Sequence, residues 1–586
     1  MCFKIFFWIC WIFLVNLSFL VIVHANQKTV LTTHGLVSGK PLKTLLKNTE
    51  YHGYMGIPFA APPLNEFRFL PPQTINPWAN VLSAVKEKPP CIQFNNNVKK
   101  NQIGQYGVED CLYLDIFTPA VDDNKRAVVV FLYNENFRYS YNKTKDYSPD
   151  FFIEEDVVLA TISHRLSTFG FLSFEDDILP GNAGLKDIVA GLHWIKNNIE
   201  RFGGDPNRIT LMGSQGGAAA IDLLIHTKAK KLFNAAILQS GTSLSPQYLQ
   251  NNIRERAFKL SELLERSTSN SNQLLKYLNE IPAEKIFEKE LNALPDDYYK
   301  ENQKPLLTFG PIVEGNQNGL VTGYPEKIFN TVTIPLMIGS NSREGLEPSL
   351  QYLFDPRYLV YLEKDFHFLI PIRSNLKFDP LKETFYNAIE DIKKFYFRRG
   401  KIRTSSISDY ITYIGDILTS YPVDAMVRMY SNKSSSSVFY YHFDYYSELN
   451  ANKENILKFS TVGDGTWGAA SGDELCYLFK CPRLINNYKK LNTSMSEEIT
   501  LQRKLVKLWT NFAKYGNPTP EINNPLDIKW PSYNLVTKQY LHISKNVEIK
   551  CNLFEERFQF WEEFLNKWQK LLNEVSTYDT YYKDDL

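Results

Sequence analysis

The chain has 586 residues, of which 44% are hydrophobic and 22% charged. Its 65 Lys and Arg offset 64 Asp and Glu, a parity that excludes the electrostatic footprint of a nucleic-acid-binding protein or of one that seeks anionic membranes. That length is enough for several domains, yet strand, helix and loop signals alternate without a Pro/Gly/Ser-rich linker or an internal repeat, so one large unit over 26–586 is expected.

Residues 1–25 read as a secretory signal: Lys4 is the only charge, an apolar run follows to Val23, and Val23-His24-Ala25 ends on a small residue suited to cleavage. An uncleaved anchor is the competing reading, and membrane association is expected only in that case. Cys2 and Cys10 leave with the signal, so Cys91, Cys111, Cys476, Cys481 and Cys551 remain, an odd number. Cys476 and Cys481 are close enough to pair locally. In a secreted chain, the sequons at Asn142, Asn432 and Asn492 are sites for N-glycans.

The run Ala127 to Leu132 predicts a hydrophobic strand, followed by Tyr133-Asn134-Glu135-Asn136. Arg208 to Met212 predicts another strand, and Ala218 to Ile225 the start of a helix. Between them Gly213-Ser214-Gln215-Gly216-Gly217 has the form of a tight strand-to-helix turn that holds one side chain at an exposed apex. The glycine frame puts Gln215 there. A one-residue slip would offer Ser214 instead, but its flanks two residues away would be Met212 and Gly216, and its hydroxyl would point elsewhere. His442 lies in the predicted strand Val438 to Phe443, where a packed histidine is expected. Phe558 to Val575 predicts an amphipathic helix whose aromatic stripe packs on the core. The chain ends Lys583-Asp584-Asp585-Leu586, either a variant of the KDEL retention signal or a solvated acidic tail.

A series of further motifs gives these elements a context. They include Met55-Gly56-Ile57-Pro58-Phe59-Ala60, Glu109-Asp110-Cys111-Leu112-Tyr113-Leu114, Gly181-Asn182-Ala183-Gly184, Phe202-Gly203-Gly204-Asp205-Pro206-Asn207 and Gln239-Ser240-Gly241. In this order, from about Tyr51 to Phe560, the chain resembles the type-B carboxylesterase and cholinesterase family. The resemblance implies an α/β-hydrolase fold: a large, mostly parallel central sheet flanked by helices. It also implies a first disulfide between Cys91 and Cys111, closing a loop of about 20 residues worth roughly 3 kcal/mol in the chain-entropy model. No cofactor and no metal is implied.

Family members cleave esters with a Ser-His-Glu triad and a Gly-rich oxyanion loop. Carried over residue by residue, the serine position is Gln215, the histidine position is Ser471 in Gly468-Ala469-Ala470-Ser471-Gly472-Asp473-Glu474-Leu475, and the acid is Glu344. Gly216 follows the apex, and the oxyanion loop is Asn134, Glu135 and Asn136 in place of glycines. A carboxamide is a poor nucleophile and a serine hydroxyl is no base near neutral pH. Glu135 would set negative charge beside a developing oxyanion. Glu344, without its imidazole, is expected to hydrogen-bond to Ser471 or Gln215. These substitutions point to a non-catalytic glycoprotein of the secretory pathway, secreted or held in the endoplasmic reticulum lumen, that binds a protein partner or an apolar small molecule between Phe137, Tyr139 and Trp467. The alternative is a carboxylic ester hydrolase with an atypical active site.

Overall fold

A computed structural model describes residues 28–94, 105–294, 303, 307–315, 319–328, 331–366, 369–373, 376–463 and 465–581. The leader and the tail at 583–586 lie outside the described residues.

The molecule is organised on an eleven-stranded sheet. In chain order its strands are β1 (Lys40–Lys43), β2 (Glu50–Pro58), β3 (Tyr113–Thr118), β4 (Arg126–Leu132), β5 (Val158–Ile162), β6 (Gly204–Ser214), β7 (Ala235–Gln239), β8 (Leu336–Asn341), β9 (Val438–Phe443), β10 (Gln539–Ile543) and β11 (Val547–Cys551). Their spatial order is β11-β10-β9-β8-β7-β6-β4-β5-β3-β2-β1. From β5 to β10 neighbouring strands are parallel, and antiparallel pairs close both ends. A large mixed sheet flanked by helices is the architecture that the family resemblance implied.

The central strands read as continuous apolar runs because both faces are covered. Every residue of β4 is buried. Val128, Val130 and Leu132 face one core while Ala127, Val129 and Phe131 face the other, the alternation of a pleated strand. On the first face lie α1 (Ala183–Asn198) and α2 (Gly216–Ile225), and on the second lies α3 (Glu497–Tyr515). A fourth helix, α4 (Glu555–Tyr581), lays Phe558, Trp561, Phe564 and Trp568 on the first core, so the C-terminal aromatic stripe is packing.

Local ties fix the ends of these elements. The start of α1 is anchored by buried Asp187, which accepts from Arg165 Nη2 at 2.7 Å and Nε at 2.8 Å. Cys91 and Cys111 form the disulfide that the resemblance implied. Cys476 and Cys481 form a second, settling a pairing that the sequence left open, and Cys551 is free and exposed. No described helix is long and apolar enough to cross a membrane.

Candidate active site

Strand β6 runs into α2 with almost no connection, and the turn between them holds Gln215 at φ 50°, ψ −113°. Such a conformation costs a non-glycine residue on the order of 1–3 kcal/mol and persists only where the surroundings impose it. They do so here. A Cβ on Gly213 would come within 2.5 Å of the Gly217 carbonyl carbon, and one on Gly217 within 2.9 Å of the Leu132 carbonyl oxygen. The two glycines let strand, turn and β4 close up, which forces the residue between them outward. Gln215 is half-buried. Ser214 is the last residue of β6, fully buried, its Oγ without a hydrogen-bond partner among the described residues. The turn therefore takes the register with Gln215 at its apex.

Glu344 follows β8, and its carboxylate is enclosed. Oε1 accepts from Ser240 Oγ at 2.6 Å and from the Asn341 N–H at 2.6 Å, and Oε2 accepts from Ser471 Oγ. The expected contact with Ser471 is present. The second hydroxyl, Ser240, is not marked by the sequence as part of the site, although its Gln-Ser-Gly motif is one of the family landmarks. Burial pushes Glu344 above the usual carboxylate range, moderated by Ser240, Ser471 and the Asn341 N–H. Beside it Glu474 accepts from Gln239 Nε2 at 2.9 Å and Asn341 Nδ2 at 2.5 Å. Burial raises Glu474 to about 8, with Glu344 and Asp473 adding to the shift.

The loop after β4 folds back over the turn. Asn134 Oδ1 accepts from the Phe137 N–H at 2.7 Å, and Asn136 Oδ1 from the N–H groups of Arg138 and Tyr139 at 3.1 and 3.2 Å. The side chains of Asn134 and Asn136 thus hold the loop from within, where glycines would leave it free. Its carbonyls point at α2: the Gly216 N–H donates to Glu135 O at 2.7 Å, and the Gly217 N–H to Asn134 O at 2.9 Å. The amide that follows the apex, the expected oxyanion donor, is already engaged.

The same loop presents a group whose character the sequence did not reveal. Burial first, then Glu347 and Asp146, push Glu135 well above the usual carboxylate range. Burial likewise raises Glu347, with Tyr139 Oη, 3.5 Å from its Oε1, pulling the other way. Glu135 was expected to carry negative charge beside a developing oxyanion; its environment instead favours the neutral carboxyl, a hydrogen-bond donor. Tyr248, buried against Phe137, feels Glu344, Glu347 and Glu135 together, so the three carboxyls lie within electrostatic reach of this one side chain. Trp467 is exposed at 57%, with the Arg343 guanidinium 4.6 Å above its ring.

The sequon residues Asn142 and Asn492 are half-buried and Asn432 is exposed on its helix. Asn142 Oδ1 accepts from Tyr106 Oη at 3.3 Å and Asn492 Oδ1 from Arg503 at 2.7 Å.

The Carboxylesterase family profile matches residues 26–561. The chain is similar to a juvenile hormone esterase of Tribolium castaneum, 30% identical over 566 residues that cover 92% of this chain and 93% of the relative. It is similar to human carboxylesterase 5A, 30% identical over 90% of this chain and 88% of that one, and to venom carboxylesterase-6 of Apis mellifera, 28% identical over 87% and 90%. Each of these relatives is named as an esterase, and each match covers most of both chains. That overturns the expectation of a non-catalytic binding protein. The expectation judged the site by the residues missing from one mechanism. From Asn26 to Trp561, this chain belongs to the carboxylesterase family, whose chemistry is the hydrolysis of carboxylic esters on an α/β-hydrolase fold.

Proposed function

We propose that the protein is a carboxylic ester hydrolase in which water, activated by an acid pair, replaces the side-chain nucleophile. The observation that carries this reading is the pair Glu135 and Glu347, both half-buried and both pushed above the usual carboxylate range, with Glu135 in the loop that holds the Gln215 turn and Glu347 met by Tyr139 of that loop. Two carboxyls that repel one another in a poorly solvated space share a proton, one acid and one base. Glu347, eased by Tyr139, is the member that ionises first, and Glu135, in the oxyanion loop, is the member that keeps its proton.

In this mechanism an ester carbonyl sits over Gln215 with its oxygen toward the Glu135 O–H. Glu347 takes a proton from water as the water oxygen bonds to the carbonyl carbon, and the Glu135 O–H hydrogen-bonds the developing oxyanion. The tetrahedral species then re-forms its carbonyl, the C–O bond to the alcohol breaks, and Glu347 returns the proton to the leaving oxygen. Acid and alcohol are the products. The Gln215 carboxamide positions the ester by hydrogen bonds. Entry through the secretory pathway is part of the proposal, supported by the apolar N-terminal segment and by two disulfides, which form in oxidising compartments.

The test is turnover of a panel of short acyl aryl esters, with juvenile hormone included because two insect relatives bear that name. Turnover without stoichiometric labelling by a serine-directed phosphonate, and its loss in Glu347→Gln, is the expected result. No turnover of any panel member, or turnover unchanged in both Glu135→Gln and Glu347→Gln, overturns the mechanism.

A further inference from the structure

The sheet builds a second cluster of chemically able side chains, away from the Gln215 turn. His442 in β9 and His542 in β10 are register partners on adjacent parallel strands, so their side chains leave the sheet on the same face. Asp444, two positions after His442, follows on that face by the period of the strand. One ring nitrogen from each histidine and one carboxylate oxygen of Asp444 lie within 4.8 Å of one another. The rings of His442 and His542 are stacked, with centroids 5.8 Å apart.

Both histidines are more than nine-tenths buried, and the Nδ1 atoms of both have no hydrogen-bond partner among the described residues. A buried imidazole nitrogen left unpaired costs free energy that a packed histidine would normally recover through a partner. Two imidazoles stacked side by side, each with an unpaired nitrogen, and a carboxylate within reach of both are an arrangement that packing alone does not explain. From these contacts we propose that His442, Asp444 and His542 bind one borderline divalent cation of the Zn²⁺ type. The position expected of the cation ties the ends of β9 and β10 together.

The ligand chemistry fits. Two imidazoles and one carboxylate are a Zn²⁺ donor set that leaves a fourth position for water. Zinc bonds of about 2.0–2.1 Å bring ligand atoms to roughly 3.4 Å from each other, so each side chain must move inward by on the order of 1 Å. Asp444 is half-buried and the mouth of the cluster reaches solvent. Burial, with His542 and Arg557 behind it, lowers His442 to about 3, and burial with Lys550 lowers His542. Both are therefore neutral at physiological pH, the form that coordinates a metal. Charges facing the cluster are mixed: Arg557 and Lys550 oppose a cation, while Asp444 and Glu548 favour it. Arg557 is itself turned to Asp416, with Nε 3.3 Å from Oδ2. Asp444 also lies against the loop of Ser471, since a Cβ on Gly468 would come within 3.0 Å of its Oδ1.

The experiment uses the whole mature protein, without a polyhistidine tag and stripped of metal by a chelator. Titration with Zn²⁺ followed by calorimetry, and metal analysis after desalting, should give about one equivalent bound, with affinity falling at least about tenfold in His542→Gln and in His442→Gln. Substitution with Co²⁺ in the wild-type protein should give the intense visible bands of a low-coordinate site with nitrogen ligands, a readout that holds even where a variant fails to fold. Three results would overturn the proposal: no zinc retained by the wild-type protein, uptake unchanged in both folded variants, or a weak six-coordinate cobalt spectrum.

Discussion

Two corners of the candidate active site carry buried carboxyls, and they are treated in opposite ways. Around Glu344 the carboxyls are supplied with donors: Ser240, Ser471 and a backbone N–H serve one, and Gln239 and Asn341 serve Glu474. Around the loop after β4, the principal cause of the shift at both Glu135 and Glu347 is burial, and among the described residues the one hydrogen bond that eases Glu347 is the 3.5 Å contact from Tyr139. A carboxylate fully supplied with donors is held in place, and such a network mainly specifies structure. An acid pair shifted mainly by burial, with one long hydrogen bond from Tyr139, is poised to exchange protons. In the proposed mechanism the first corner serves structure and the second chemistry, although the family's triad would have suggested the reverse.

The largest expected effect breaks the second corner. Glu347→Gln should lower kcat for a cleavable ester by about 10²–10⁴, with an unchanged far-UV spectrum and melting midpoint. Glu135→Gln, which keeps a donor, should lose less than Glu347→Gln, and the reverse order would exchange the roles of acid and base. The rate should follow a bell-shaped pH profile whose acid limb lies above the ordinary glutamate range, because both carboxyls are raised.

Next in size is the pH dependence of stability set by Glu474. Its folded value of about 8 lies above the ordinary glutamate value of 4.5, so between those values the native state binds more protons than the unfolded chain. Stability should therefore be full below about 4.5 and fall as pH rises through about 8, with a slope of at most about 1.4 kcal/mol per pH unit from this one proton. Urea midpoints measured across that window would show it, and a rising midpoint would mean that Glu474 keeps its charge in the fold.

Ser471→Ala sharpens the contrast between the corners. It removes one donor from buried Glu344 and should cost about 1–3 kcal/mol of stability, while ester turnover stays within a few-fold of the parent. Loss of turnover on the scale of Glu347→Gln would return Ser471 to the chemistry. The smallest effect is at the turn: Gln215→Gly removes the strain of a positive φ and should raise stability by about 1 kcal/mol, read as a higher denaturation midpoint.

Much of the fold is legible in the linear sequence. The apolar runs of β4 and β6, the glycine frame of the turn and the aromatic stripe of α4 each state their place through local sterics or periodicity, and the ordered motifs identify the fold. The Cys91–Cys111 bond follows from the family resemblance, whereas the Cys476–Cys481 bond is decided by the tertiary structure. The contact of Ser471 with Glu344 is expected from their positions; Ser240 escapes notice because nothing local marks a serine at the end of β7 as facing a residue 104 positions away.

Function is where the linear reading fails, for a physical reason. Sequence determines which groups fill the family's site positions: a carboxamide at Gln215, a hydroxyl at Ser471, carboxyls at Glu135 and Glu344, whereas Glu347 is brought in by the fold. It does not determine which of them are satisfied. A carboxyl's protonation depends on desolvation and on neighbours brought together from distant strands, and the Gly216 N–H is used by Glu135 O only because the loop folds onto α2. The same holds for His442, which sequence marks as one packed histidine in a strand. Only the register of β9 against β10 sets His542 beside it and Asp444 on the same face, because side-chain direction alternates along a strand but the partner across it is chosen by the whole sheet.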